Sequence, residues 1–536
     1  MTCVIDLSPL NLDWPLAIRR FQKDIREDFF PDPIHYQDLL RNQGRTADFL
    51  VSVSAAFQPD TAASYDIPKQ NFTLRHAIHL SPVDRIVYQA LVDRLAPEVD
   101  PKLAETVFSH RLRDPSAEYM FKNNIEQWKR FRAAVRDAAR DTHVSHLVVT
   151  DIAQYYENID FRKLKPQLEN VLGGSVAKEH QACVDSMIRL LKRWTPYKYH
   201  GLPQNMDASS FVGNAFLDYI DRRVLRLTAK YFRYMDDIRI LATSEAEARR
   251  LLMSLIVFLR ELGLGVNARK TEIVDRDSAR WHELMAQEDP SLDAIDVLIK
   301  SNDHKQIQSA VPKIVDKVRR LILEGKTGDG PFRFCINRLV TLRRYMGLSW
   351  PNLADVTASV LDLLVTRPCD TDVLCRYLAV AEFDASLESR LASLILDEPR
   401  CIYAWQNYHL WVLLVQRCIR TDALFRRAHA ILETSTVDPN LSGACLYLGS
   451  CGEYSDRTAI KNRYSAEQPY PVRRAQLVAL QELHAVEREP LFSGEREEPS
   501  FSNLAAYLDD LGDPVYVPDP PPVERDELYD FTLTVY

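Results

Sequence analysis

Tyr231-Phe-Arg-Tyr-Met-Asp-Asp-Ile-Arg-Ile-Leu-Ala242 is the stretch on which the reading of this chain turns. Tyr231, Tyr234, Ile238 and Ile240 flank two adjacent acids, a pattern that predicts two short β-strands meeting at Asp236 and Asp237. Acidic side chains are depleted in strands and neighbouring carboxylates repel, so an Asp pair at a hairpin tip calls for a compensating cation. Two divalent ions about 3.5–4 Å apart, clamping the oxygens of a phosphoryl displacement, would supply it. Asp is also a common turn residue, and this stretch alone leaves a plain solvated turn open.

Neighbouring stretches add weight to the cation. Upstream, residues 147–150 (LVVT) predict a β-branched apolar strand ending in Asp151, with Tyr155 and Tyr156 beyond it. A carboxylate at the end of a buried strand is expensive without a partner, and an ion shared with Asp236 would serve. A turn-capping Asp is the plain alternative. Residues 201–205 (GLPQN) lead into a helix whose small Gly213 and Ala215 would let something flat approach its backbone, either a base pair or a neighbouring helix. Downstream, Ser244 and Glu247 form a capping-box signature for a helix over about 245–262, and Gly263 is a good left-handed stop. Lys270 follows on a strand or turn. Hairpin, helix and strand in that order suit an antiparallel sheet covered by helices, an α+β layer.

Towards the N-terminus, residues 14–29 read as an amphipathic helix, and two prolines in FFPDPIHYQDLL precede a short helix carrying Tyr36. Ser81-Pro82 starts another helix, which carries Arg85. Phe108-Ser-His-Arg111 is a short extended or turn segment. A helix over about 122–140 carries Lys122, Lys129, Arg130, Arg132, Arg136 and Arg140, either a solvated basic face or a track for a phosphate backbone.

The 536 residues suffice for two to four domains, and 46% apolar and 26% charged content is ordinary for a globular protein. A net charge of −8 supplies no global attraction to nucleic acid, so any such groove must be locally basic. No run is long and apolar enough to span a membrane, and MTCVIDLSPLNLDW has no signal-peptide pattern. The nine cysteines lack C-x-x-C pairs, which fits reduced thiols in a cytoplasmic protein and argues against a structural zinc site.

Together, Asp151-Ile152 with Tyr156, GLPQN (201–205), YMDD (234–237) and GLGVNARKT (263–271) resemble the fingers and palm motifs of reverse transcriptases in order and rough spacing. The resemblance covers about residues 70–275. It implies that Asp151, Asp236 and Asp237 ligate two Mg²⁺ ions, with the Ile152 carbonyl assisting and Mn²⁺ as the alternative ion. Tyr156 would lie beneath the sugar and select deoxynucleotides. Pro203, Gln204, Tyr234 and Met235 would line the nucleotide pocket, Arg111 and Arg85 would contact the incoming triphosphate, and Lys270 would protonate departing pyrophosphate. One departure matters: Asn205 stands where the loop usually has glycine. Asn tolerates the left-handed region, but its side chain would stand where template runs close.

Beyond residue 295 the texture is helical, with apolar stripes between short polar turns and a weak self-similarity between residues 443–452 and 473–482. Paired-helix, HEAT-like stacking is the expectation, with an irregular bundle as the alternative. The domains expected are an N-terminal extension (1–70), reverse transcriptase fingers and palm (71–290), an all-α HEAT-like repeat domain (295–485) and an acidic, Pro-rich tail (486–536). That architecture is similar to bacterial abortive-infection (AbiK-like) reverse transcriptases of phage defence. The similarity implies DNA synthesis from dNTPs without a required template, a DNA product attached covalently to a primer tyrosine, and a homo-oligomer built through the helical domain. By mobility alone, Tyr36, Tyr516, Tyr529 and Tyr536 are the primer candidates among 23 tyrosines. The alternatives are a retron-like enzyme copying a partner RNA and a catalytically silent scaffold.

Overall fold

The computed structural model describes residues 4–173, 177–197, 199–286, 290–301, 303–344, 346–348, 350, 353–397, 402–434, 439–494 and 499–521. They form two compact units, and the chain passes between them more than once. The first comprises Met1–Asp28, Gln43–Ala62 and Ile78–Glu288, the second Phe29–Asn42, Ala63–Ala77 and Asp289–Tyr536.

β1 (Ala63–Pro68) and β2 (Leu74–His79) pair as a two-stranded ribbon. The first unit is built on a four-stranded antiparallel sheet of β3 (His146–Asp151), β4 (Tyr231–Tyr234), β5 (Asp237–Ala242) and β6 (Glu272–Asp275), in the order β4-β5-β3-β6. Alternation along the strands decides which residues are covered. Leu147, Val149, Phe232, Leu241 and Val274 join one cluster with Trp128, Phe131 and Val135 of the helix Asn124–Ala139. The basic helix is therefore a sheet-covering helix, and only its remaining face is free for other work. Arg132 is not on that face, since it donates to the carbonyls of Leu284 (3.1 Å) and Ala286 (2.8 Å).

Local signals explain the boundaries. Asn123 caps the Asn124–Ala139 helix by accepting from the amides of Ile125 and Glu126. Ser244 accepts from the Glu247 amide at 3.2 Å, Glu247 accepts from the Thr243 amide at 2.7 Å, and the helix Glu245–Glu261 is followed by Gly263 at φ +80°. This helix packs against β3, β5 and β6.

The second unit is helical from Pro290–Lys300 onward, joined by the two earlier segments. Its core runs through Ala404–Gln416, Pro439–Cys451 and Tyr470–Ala479, which pack in succession. The two self-similar stretches are thus neighbouring helices. Side chains are barred at two crossings: a Cβ on Gly443 would meet Trp411 Cβ at 2.7 Å, and one on Gly449 would meet the Ala479 carbonyl at 2.5 Å. Phe30 stacks between Tyr65 and Tyr408, and Trp405 Nε1 donates to the Phe29 carbonyl at 2.6 Å.

Two expectations for this region need correction. Residues 1–70 are not a separate extension, because 29–42 and 63–77 are part of the helical unit. Residues 486–536 are not simply a tail either: Ala485–Gly494 and Pro499–Asp510 are helices, and the latter packs on Gln37–Leu40 with Phe501 and Leu504 buried. The apolar spacing of those residues outweighs the acidic composition around them.

Arg474 anchors the inserted segment. Its guanidinium, 1% exposed, pairs with Asp32 and with Asp38 (2.5 Å), beneath the Tyr36 ring. Burial works to lower the Arg474 pKa, but the two carboxylates outweigh it and hold the charge. Arg474→Ala, which strands two buried carboxylates, is expected to destabilise the second unit by about 3–5 kcal/mol, read as a lower denaturant midpoint.

Candidate active site

Three backbone segments of the first unit converge at one end of the sheet. In the β3–β5 pairing Asp151 lies opposite Asp237, and Tyr234 pairs with Asp237 across the hairpin. The Ile152 amide donates to the Asp236 carbonyl at 3.2 Å, tying the strand end to the turn. The third segment is the turn before β6: the Asn267 amide donates to the Asp151 carbonyl at 2.7 Å, and Asn267 Nδ2 reaches Asp151 Oδ2 at 3.3 Å. Asp151, Asp236, Asp237, Ile152 and Lys270 are thereby gathered in one place.

The electrostatics follow from that crowding. Asp151 is buried, while Asp236 and Asp237 are half-buried. Desolvation, followed by the like charges of Asp151 and Asp237, pushes Asp236 up to about 8. Asp237 is raised as well, again by burial first, with Arg239 (Nη1 to Oδ1, 3.3 Å) opposing. Lys270 Nζ stands 3.0 Å from Asp151 Oδ2. Burial works to lower its pKa, but the Asp151 carboxylate and the charges of Asp237 and Asp236 prevail, so it stays protonated.

Among the described residues, no group of three or more His, Cys, Asp or Glu closes around a single point as a ready metal site. The chemistry of the donor set nevertheless fits a hard cation: Asp151, Asp236 and Asp237 offer carboxylate oxygens, the ligand type such ions take, and a bound cation would relieve the crowding that burial and like charge impose on Asp236. Asp151, Asp236 and Asp237 are the residues that would hold it.

Beneath the hairpin lies a network for which the sequence offered one overlooked signal. Arg233 alternates with Tyr234, which directs it to the same side as Tyr231, and both are fully buried. Arg233 donates to Asp221 (2.7 and 2.6 Å), Asn214 Oδ1 (2.8 Å), the Asn214 carbonyl (3.3 Å) and the Met235 carbonyl (2.9 Å). An arginine on the inward face of a strand needs such partners. Nothing in the sequence marked Asp221 or Asn214.

Tyr156 and the GLPQN loop lie in the same unit. Leu202 donates its amide to the Tyr156 carbonyl at 3.0 Å, and Tyr156 Oη donates to Ser210 Oγ at 3.3 Å. Pro203 and Gln204 are buried, and Asn205 sits at φ +58°, in the left-handed region. Within the protein, the close neighbours of Gly213 are two side chains, those of Met235 and Tyr155. A Cβ there would meet Met235 Cε at 3.2 Å and Tyr155 Cε1 at 3.3 Å.

Several expected residues do other work. Arg85, almost fully buried, pairs with Asp24 and Asp28. Arg111 is clamped by Asp100 (2.9 Å) and the carbonyls of Ala104 and Val107. A sequence shows that an arginine is available but not which carboxylate folding brings to it. Tyr36 is 2% exposed, and Tyr516 is buried with its hydroxyl donating to Glu482. Neither has the mobility that suggested it as a primer, and Tyr529 and Tyr536 lie outside the described residues.

Residues 67–284, under half of the chain, match the family model described as reverse transcriptase (RNA-dependent DNA polymerase). No curated protein matches the chain. Similar solved structures include telomerase from Candida albicans in complex with a TWJ fragment of telomeric RNA (11% identity, 66% of each chain, TM-score 0.32). Another is apo telomerase from Candida tropicalis (9% identity, 78% of this chain and 68% of that one, TM-score 0.33). The chain spans about two thirds of the length of each. Residues 67–284 are thus a reverse transcriptase domain, and the acidic cluster belongs to its palm sheet.

Folding raises the Asp236 pKa, so the folded chain keeps a proton there that the unfolded chain releases. That contribution to stability is full below about pH 4 and is lost as pH rises through about 8. Metal-free Asp236→Asn is therefore expected to melt about 2–5 °C above wild type at pH 8, with the gap closing by pH 5, in paired thermal melts.

Proposed function

We propose that this chain is a metal-dependent DNA polymerase that adds deoxynucleotides at the Asp151–Asp236–Asp237 cluster. The observation that carries the reading is the pairing of Asp151 with Asp237, beside Asp236, inside the reverse transcriptase domain. Two Mg²⁺ ions bound there would lower the pKa of the attacking hydroxyl and neutralise the triphosphate. The chain's own residues do the rest. Asn267 and the Ile152 amide orient the strand end, and Arg239 holds Asp237. Protonated Lys270, beside Asp151, is the acid that would give its proton to departing pyrophosphate. The Tyr156 ring, tethered to Ser210, excludes a 2′-hydroxyl and selects deoxynucleotides.

Within that class we favour a phage-defence polymerase of the abortive-infection kind, with HEAT-like stacking in its second unit and relaxed dependence on a template. Two features support this: a helical unit shares the chain with the reverse transcriptase domain, and Asn205 occupies a left-handed position in the GLPQN loop.

Nuclease-treated protein incubated with Mg²⁺ and labelled dNTPs is expected to incorporate label, and Asp236→Ala to lose it by about 10³-fold or more. Equal incorporation by wild type and Asp236→Ala would sink the polymerase reading. Label that migrates with the polypeptide in denaturing gels would identify a side-chain primer. Strict dependence on added RNA would instead favour the templated, retron-like enzyme. Asn205→Gly is expected to increase extension of a DNA primer on an RNA template several-fold, in the same assay.

A further inference from the structure

Met235 is a non-glycine residue at φ +57°, at the turn that presents Asp236 and Asp237. Side chains crowd the backbone in that region, and the conformation persists only where surrounding contacts impose it. Both polar backbone groups of Met235 are held. Its carbonyl accepts from Arg233 at 2.9 Å, and its amide donates to Ser109 Oγ at 2.6 Å. The Ser109 hydroxyl also donates to the Met235 sulfur at 4.0 Å. Ser109 is fully buried, and its own carbonyl accepts from Asn214 Nδ2 at 2.9 Å. Asn214 in turn accepts from Arg233, so the contacts close a ring around residue 235.

The segment bearing Ser109 is fixed independently of the turn. Arg233 donates its amide to the Thr106 carbonyl and Phe108 donates its amide to the Arg233 carbonyl, both at 3.0 Å, which lays residues 106–108 along β4. Arg111, gripped by Asp100 and two carbonyls, anchors the far end. The Phe108-Ser-His-Arg111 stretch, which the site chemistry above leaves without a role, is a brace that delivers one hydroxyl to one amide.

We propose that Ser109 is a positioning residue for nucleotidyl transfer: it holds the Met235 backbone in its left-handed conformation and so sets where the Asp236 carboxylate stands. This rests on the polymerase reading above. Ser109→Ala is expected to lower kcat about 10–30-fold while the dNTP KM stays within about two-fold. Glycine adopts positive φ without strain, so in a Met235→Gly background Ser109→Ala should change kcat less than about three-fold. An equal loss in both backgrounds, or no loss in Ser109→Ala alone, would overturn the proposal. If Ser109→Ala does not fold, Ser109→Cys, whose sulfur is a weak acceptor, is read in the same cycle. Amide hydrogen exchange gives a readout independent of activity. Ser109→Ala should speed exchange at Met235 and leave the β3 amides unchanged; an unaltered Met235 rate counts against the brace. If wild type incorporates no nucleotide, the polymerase reading fails while the exchange measurement still decides the brace.

Discussion

The ion pair of Arg233 with Asp221 is the constraint on which the acidic end of the sheet depends. Both side chains are fully excluded from water. Removing such a pair from solvent costs several kcal/mol per ion unless the remaining hydrogen-bonding capacity is met. A guanidinium has five N–H donors, and here each has an acceptor: two reach Asp221, two reach Asn214 and one reaches the Met235 carbonyl. Tyr231 completes the arrangement by donating to Asp221 at 2.6 Å. The desolvation penalty is thereby offset by a full set of matched bonds, and one of those bonds ends on the turn that carries the acids.

Rigidity below makes charge crowding above tolerable. The three acids would separate if their backbones could move, because burial and neighbouring like charge disfavour the ionised forms of Asp236 and Asp237. The in-register pairing of β3 with β5 and the bonds from Ile152 and Asn267 prevent that. Lys270 and Arg239 each neutralise one member, which leaves Asp236 as the carboxylate whose charge is least compensated.

What the sequence revealed depended on how local the signal was. The strands around Asp236, the Ser244–Glu247 cap, the Gly263 stop and the basic helix all rest on contacts within a few residues, and all appear near their expected bounds. The gathering of Asp151 with the hairpin could be inferred because motif order carries long-range information. The partners of Arg85, Arg111 and Arg233 were hidden for the opposite reason. Each is a carboxylate that folding brings from elsewhere in the chain, and no periodicity announces such pairings. Asn267 went unnoticed beside the more conspicuous Lys270, although both touch Asp151. The apolar crowding at Gly213 was legible only as a small residue, since what fills the space comes from Tyr155 and Met235.

The grip of Arg474 on Asp32 and Asp38 has a consequence for how the protein is made. The partners are more than four hundred positions apart, so a ribosome releases the two carboxylates long before their counter-ion exists. Until Arg474 is made, Asp32 and Asp38 lack the cation that lets them be buried, so this part of the helical unit cannot be completed from its N-terminal side alone. That packing can close only after the Tyr470–Ala479 helix, and then the Pro499–Asp510 helix that packs on Gln37–Leu40, have been translated.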